Sequence, residues 1–380
     1  MNISRKVQLM TYPDSLGGNL KSLQHAVDTY LSDAIGGIHI LPPYPSSADR
    51  GFAPKTHLEI DQRFGTWEDI ESLATKYDLI LDLICGHVSV ESIEFQDYLK
   101  NGRKSEFMDM FMRVDKVFPD GNIPMSSIVA YDYLTPIPPF IVFTLQDGTK
   151  EMHFRTFMPH QADLDPFNEK TQDLYKRFAT KLAKHGVKMV RLDAIETIAK
   201  EPEGLHMVDS THQVIKDLIK MNDELGMLAL CEMHNTVEQK QWIESVGGWS
   251  YDFHVPERII YALYEENATP LKQWLKKASY NQISVLTNHD GFMIGMEGES
   301  ISPEISESVR KTMFRNAGPI TERASGVGSN NISVHGINAT LLEVFFRDQE
   351  KWLASHALHI LCSKGIPQVY YNDLLAQRND

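Results

Sequence analysis

At 380 residues, with 42% hydrophobic and 23% charged residues, the chain has the make-up of a globular protein long enough to bury a substantial core. A formal charge of −14 argues against nucleic acid or an anionic membrane as partner, and no apolar run reaches the length of a transmembrane helix. Cys85, Cys231 and Cys362 are odd in number and lie in apolar runs outside any C-x-x-C spacing, so they read as buried free thiols suited to a reducing cytoplasm; residues 1–10 show no signal peptide.

Residues 7–12 read as a strand and 19–31 as a helix. A second strand covers 37–43, and a helix covers 66–77, with Thr66 as N-cap and Asp69 three residues on. A third strand spans 79–88. The pattern breaks over 89–165, where several aromatics and the hairpin-like turn "LQDGTK" at 145–150 indicate an inserted domain. Alternation resumes with helix 168–185, strand 187–194, helix 209–225, strand 227–233, helix 236–244 and strand 251–255. Helices within 257–278 and strand 283–288 follow, then an irregular segment over 292–345, helix 349–363 and strand 365–371.

Repeated βα units demand a parallel sheet, and eight of them favour a closed (β/α)8 barrel over an open doubly wound sheet. No G-x-G-x-x-G follows the first strand, which weakens a dinucleotide-binding reading. The expected organisation is an α/β TIM barrel from 1–88 and 166–380. An inserted domain at 89–165 follows strand three, and an irregular insertion at 292–345 follows strand seven.

Four of these strands end in acids or imidazoles: His87, then Arg191 and Asp193, then Glu232 and His234, then Asn288, His289 and Asp290. In a barrel, the C-terminal strand ends converge on the face that carries the active site. Asp193, Glu232 and Asp290 are therefore expected to meet there, with Arg191 holding Asp193 ionised. Such a set suits retaining glycoside chemistry, in which one carboxylate attacks the anomeric carbon and a second, its pKa raised, protonates the departing oxygen about 5–5.5 Å away. The third hydrogen-bonds sugar hydroxyls. His and carboxylates also serve metals, but three acids flanking an Arg fit a cationic sugar transition state better than a metal cage. Proton transfer and displacement lie within the reach of side chains, so neither cofactor nor metal is expected.

The runs "DLICGH", "VRLDA", "CEMH" and "TNHD" resemble the four short regions of glycoside hydrolase family 13, the α-amylase superfamily. "TYPDSLGGNL", "PSSADRGFAP", "FGTWEDI", "QADLD" and "GIPQVYY" resemble its sucrose phosphorylase subfamily, including relatives acting on sucrose 6′-phosphate and glucosylglycerol. That resemblance implies Asp193 as nucleophile, Glu232 as general acid/base and Asp290 as transition-state stabiliser. His87, Arg191 and His289 would grip the glucosyl unit, Asp49 and Phe52 would close its pocket, Gln161 would line it, and His234 would stand near the acceptor. It also implies a cytoplasmic monomer or homodimer whose partners are a small sugar and inorganic phosphate, with glucosyl passing to phosphate to give α-glucose 1-phosphate.

After Asp193 the family continues with Gly-Tyr and then a Gly-Thr-Ser-Cys-Phe segment. Here "AIETIAKEPEGLHMVD" follows, with Thr197 in place of the aromatic and Glu196 expected to turn into solvent. "TNHD" resembles ordinary amylase-type hydrolases, "CGH" replaces the usual Asn-His, and residues 316–335 match the acceptor loop poorly, with Arg323 the candidate for phosphate. Family members carry an eighth helix and a small C-terminal β domain beyond the last strand. The sequence stops nine residues after Tyr371, so both are expected to be missing from it, leaving apolar surface on one flank. These departures keep two alternatives open: a retaining α-glucosidase or transglucosylase, and a truncated, non-catalytic sugar-binding homologue.

Overall fold

Eight apolar runs form the strands β1 (Val7–Thr11), β2 (Ile35–Ile40), β3 (Asp78–Leu83), β4 (Met189–Leu192), β5 (Leu228–Cys231), β6 (Trp249–Asp252), β7 (Gln282–Val285) and β8 (Ile366–Tyr370). In this computed structural model the described residues are 3–131, 139–234, 236–294, 302–317, 321–325 and 333–379. The strands pair in parallel and in chain order, and β8 returns to β1 to close the barrel. Strands covered on both faces need no polar alternation; in β3, Leu79, Ile80, Leu81 and Leu83 are all fully buried. Each such side chain contributes roughly 1.5–3 kcal/mol relative to exposure.

The helices ring the barrel because each carries one apolar stripe. Leu174, Phe178 and Leu182 lie at i, i+4 and i+8 on Glu169–Lys184, and Leu20, Leu23 and Val27 line Leu20–Tyr30. Their starts follow capping chemistry. The Asn19 side chain accepts from the Ser22 N–H at 2.9 Å, and Asp69 accepts from the Thr66 N–H at 2.9 Å. Thr236 and Gln239 form a capping box on Val237–Ser245. No helix of the described residues is long and apolar enough to cross a membrane.

Register decides what reaches the barrel mouth. Asp82 on β3 pairs with Arg191 on β4, so the two side chains leave adjacent strands side by side. The ladder continues past the strand ends, since the Asp193 N–H donates to the Leu83 carbonyl and the Glu232 N–H to that of Leu192, both at 3.1 Å.

Several expectations need correction. The third strand ends at Leu83, short of 88; after Gly86, His87–Ser89 leaves the barrel and pairs antiparallel with Gln161–Asp163. The sixth strand ends at Asp252, because a helix starts at Val255 with Pro256 in its first turn, where a missing N–H costs nothing. The segment over 292–345 is less irregular than expected. It holds the fifteen-residue helix Pro303–Ala317 and the antiparallel pair Thr321–Ser325 and Ser333–Asn338. Val309 and Met313 of that helix are buried in a second core shared with Ile259, Trp274, Phe292 and Ile337. The turn at 145–150 does connect a hairpin, Phe140–Thr144 with Lys150–Phe154. Cys362 is only partly buried, whereas Cys85 and Cys231 are enclosed. The helix Gln349–Cys362 leaves Leu353 and Leu361 exposed, at 63% and 83%.

Candidate active site

The charged pair at the end of β4 belongs to a buried network. Arg191 is 1% exposed. One of its terminal nitrogens, Nη1, donates to Asp82 Oδ1 at 2.5 Å and to Asp193 Oδ1 at 2.6 Å, while Nη2 lies 3.6 Å from Glu232 Oε2. Asp82 is fully buried and also meets His39 Nε2 at 2.8 Å. A buried cation of this kind persists only because carboxylates surround it. The consequence is geometric: Asp193 and Glu232, from different strands, flank a single guanidinium. Glu232 also accepts from the Ala194 N–H at 2.7 Å, and Ala194 sits at φ +44°, so the chain turns sharply just past Asp193.

Electrostatics separates the two acids. Burial pushes both carboxyls up, Glu232 to about 7, with Asp193 and Asp290 adding to the effect on Glu232 and Arg191 opposing it. The closer contact of Arg191 with Asp193 favours that side chain as the anion and Glu232 as the proton carrier. The expected action of Arg191 on Asp193 is therefore present, but burial outweighs it and the Asp193 carboxyl remains above its ordinary value.

Asp290 arrives on the loop after β7. Its N–H donates to Asn288 Oδ1 at 2.8 Å, and its carboxylate lies 3.4 Å from His289 Nε2. The Asp290 charge raises Glu232, Tyr12 and His234. His289 stacks on Phe52 with ring centroids 4.7 Å apart and planes 5° apart, and Phe52 stands 5.8 Å from the Arg191 guanidinium. Phe52 thus packs against both the His289 ring and the Arg191 guanidinium.

Two residues expected to touch sugar also hold the Phe52 loop. His87 Nε2 donates to the Phe52 carbonyl at 2.7 Å, and the Gln161 amide donates to the same oxygen at 3.2 Å while its carbonyl accepts from the Met158 N–H. The Nδ1 atoms of His87 and His289 are buried with no partner among the described residues. Asp49 and Arg50 both take positive φ, +57° and +46°, and Arg50 lies over the Tyr12 ring at 4.0 Å while pairing with Asp14 at 2.7 Å.

Glu196 does not turn into solvent. It is 2% exposed and accepts from His234 twice, from the backbone N–H at 2.7 Å and from ring Nδ1 at 2.9 Å. His206 Nε2 lies 3.2 Å from the same carboxylate. The short turn Ile195–Thr197 aims Glu196 inward rather than out. Arg323, the candidate for phosphate, lies on the strand Thr321–Ser325, but its side chain and residues 318–320 and 326–332 fall outside the described residues.

Sequence reasoning passed over Asp82, His39 and Tyr12, and turned Glu196 into solvent. Asp82 was visible as a lone acid inside an apolar strand, which needs a cation. The other three had no local signal. A cleft of about 240 Å³, lined by Lys240, Trp274 and Gln282, lies at the opposite, N-terminal end of β7, away from the acids. No set of three His, Cys, Asp or Glu among the described residues converges as metal ligands.

Comparison with known proteins places this geometry. The alpha amylase catalytic-domain family matches residues 12–291. The chain is 36% identical over 390 residues to glucosylglycerol phosphorylase of Marinobacter adhaerens, covering 100% of this chain and 79% of that protein. It is 37% identical to sucrose 6(F)-phosphate phosphorylase of Thermoanaerobacterium thermosaccharolyticum, again over 100% of this chain and 80% of that protein. The crystal structure of sucrose 6F-phosphate phosphorylase from Thermoanaerobacter thermosaccharolyticum superposes with a TM-score of 0.92 at 35% identity, covering 100% of this chain and 78% of that one. The barrel, the acids at its mouth and these likenesses together make this chain a member of the alpha-amylase family, in the group that holds the sucrose phosphorylases.

Proposed function

We propose that the chain is a retaining glucoside phosphorylase. It would move an α-glucosyl unit from sucrose or a related glucoside, sucrose 6′-phosphate or glucosylglycerol, to inorganic phosphate. The observation that carries the reading is Arg191 bridging Asp193 and Glu232 in a buried site where the two acids are electrically distinct. In the first step Asp193 attacks the anomeric carbon as the glycosidic C–O bond breaks, and Glu232 gives its proton to the departing oxygen. A β-glucosyl-enzyme and a free alcohol result. In the second step phosphate enters from the vacated face, Glu232 takes its proton, and the bond to Asp193 breaks to give α-glucose 1-phosphate with net retention.

Asp290 contributes negative charge and hydrogen-bond acceptors to a ring that turns cationic in each transition state. Phe52 covers the apolar face of the sugar, Asp49 takes outer hydroxyls, and the Nδ1 atoms of His87 and His289 receive others. Gln161 acts through the Phe52 carbonyl, fixing the wall.

The test is to supply each of the three glucosides with and without phosphate and assay glucose 1-phosphate against free glucose. Phosphate-dependent formation of α-glucose 1-phosphate is expected. Free glucose at a rate indifferent to phosphate would support the α-glucosidase reading, which "TNHD" and Thr197 favour. Binding without turnover of any glucoside would support the sugar-binding reading.

A further inference from the structure

Glu196 is a buried acid three residues after Asp193, in the turn Ile195–Thr197, and nothing in the reaction above uses it. Buried carboxylates need partners, and Glu196 has chosen an unusual set. Oε2 takes the His234 N–H, Oε1 takes His234 Nδ1, and His206 closes the third side. The link spans chain positions 38 residues apart, tying the turn after β4 to the end of β5. His234 follows Glu232 by two residues, so the clamp ends beside the proton-carrying acid.

We infer that Glu196 is a positioning residue that fixes the His234 ring and its positive charge beside Glu232, turning the acceptor side of the site into a seat for an anion. This rests on the phosphorylase reading for the identity of the anion, inorganic phosphate, but not for the clamp itself. The groups around His234 are Glu196 from the turn after β4, His206 through that carboxylate, Glu232 at the end of β5, the Phe253 ring after β6 at 6.0 Å, and Asp290 after β7. Burial alone would favour the neutral ring, but Glu196 raises it to about 9, with Glu232 and Asp290 adding to the effect. Glu196 is in turn held well below the ordinary carboxylate range by the two imidazoles, against its burial. The acid therefore does not repel an entering anion as an unpaired carboxylate would, because its charge is taken up on both sides.

The experiment is 15N-histidine NMR titration of the whole chain, with His234→Gln to assign the signal, joined to steady-state kinetics with inorganic phosphate. His234 is expected doubly protonated at pH 7. In Glu196→Gln its midpoint should fall by more than about one pH unit, and the phosphate KM should rise about tenfold or more with a smaller change in kcat. Glu196→Gln/His234→Gln should be no worse than His234→Gln, since Glu196 acts through that ring. A His234 that is neutral at pH 7 in the wild type overturns the inference, and so do losses that add in the double variant. If Glu196→Gln does not fold, the wild-type titration decides alone. A wild-type enzyme indifferent to phosphate defeats the phosphorylase reading while the titration still judges the clamp.

Discussion

Asp193 and Glu232 differ in environment, and their variants should differ in kind. Asp193→Asn removes the attacking oxygen, so turnover of every glucoside should drop about 10³-fold or more. Glu232→Gln removes a proton donor that α-glucosyl fluoride does not need. Release of fluoride should therefore survive far better than release of an alcohol, and comparing the two rates checks the assignment. The pH profile carries a sign. Glu232 must be protonated for the first step, and burial raises its carboxyl to about 7. The rate with an alkoxide-leaving substrate should fall as pH rises through about 7, while the fluoride substrate should lack that limb. Asp193 and Glu232 could be placed from sequence because each directly follows an apolar strand, and Asp290 because it lies on the loop after β7, all on the side where a barrel brings distant positions together. Glu196 could not be, since its burial depends on His206 and on His234, and no periodicity reports a contact of that length.

Between residue and barrel stand the short turns that aim these side chains. Asn288 to Gly291 form one, with backbone bonds between the two ends at 3.1 and 3.2 Å, and Asp290 sits inside it. Gly291 has φ +97°, and a Cβ there would lie 2.3 Å from the Ile337 carbonyl oxygen. Gly291→Ala must shift the turn. Because displacing a reacting or stabilising group by about 1 Å can cost 10²-fold, kcat/KM should fall by about that factor while the far-UV circular dichroism stays unchanged. An unaltered kcat/KM would show that Asp290 tolerates displacement. Element starts were readable from Thr66 and Asp69. The helix Pro303–Ala317 was not, because its buried positions Val309 and Met313 stand in a polar sequence, and their core partners lie on β7's flanking loops and the helix Val255–Tyr264.

At the scale of the molecule, closure of the barrel brings β7 and β8 together and buries Asp373 against Thr287. Burial pushes that carboxyl to about 7, opposed by the Thr287 hydroxyl. The folded value lies above the unfolded one of about 4, so the support that the neutral acid gives the fold at low pH declines as pH rises from about 4 and is fully lost above about 7. Asp373→Asn should remove that loss. In urea unfolding its stability relative to the wild type should rise by roughly 2–3 kcal/mol between pH 5 and pH 8; a difference that does not change over that range would show that Asp373 carries no buried-charge cost. The barrel order itself was readable, since eight apolar runs with amphipathic spacers admit few other arrangements. What strand patterning could not supply was the departure of His87–Ser89 from the barrel, set by pairing with Gln161–Asp163 some seventy residues away.

Mass spectrometry of the protein quenched with a fluorinated, slow-turnover α-glucosyl fluoride, followed by peptide mapping and then by addition of phosphate, probes the site and the reaction together. A single glucosyl adduct on Asp193 that phosphate discharges as the α-glycosyl 1-phosphate is the expected result. An adduct on another carboxylate, or one that water releases and phosphate leaves untouched, would contradict it.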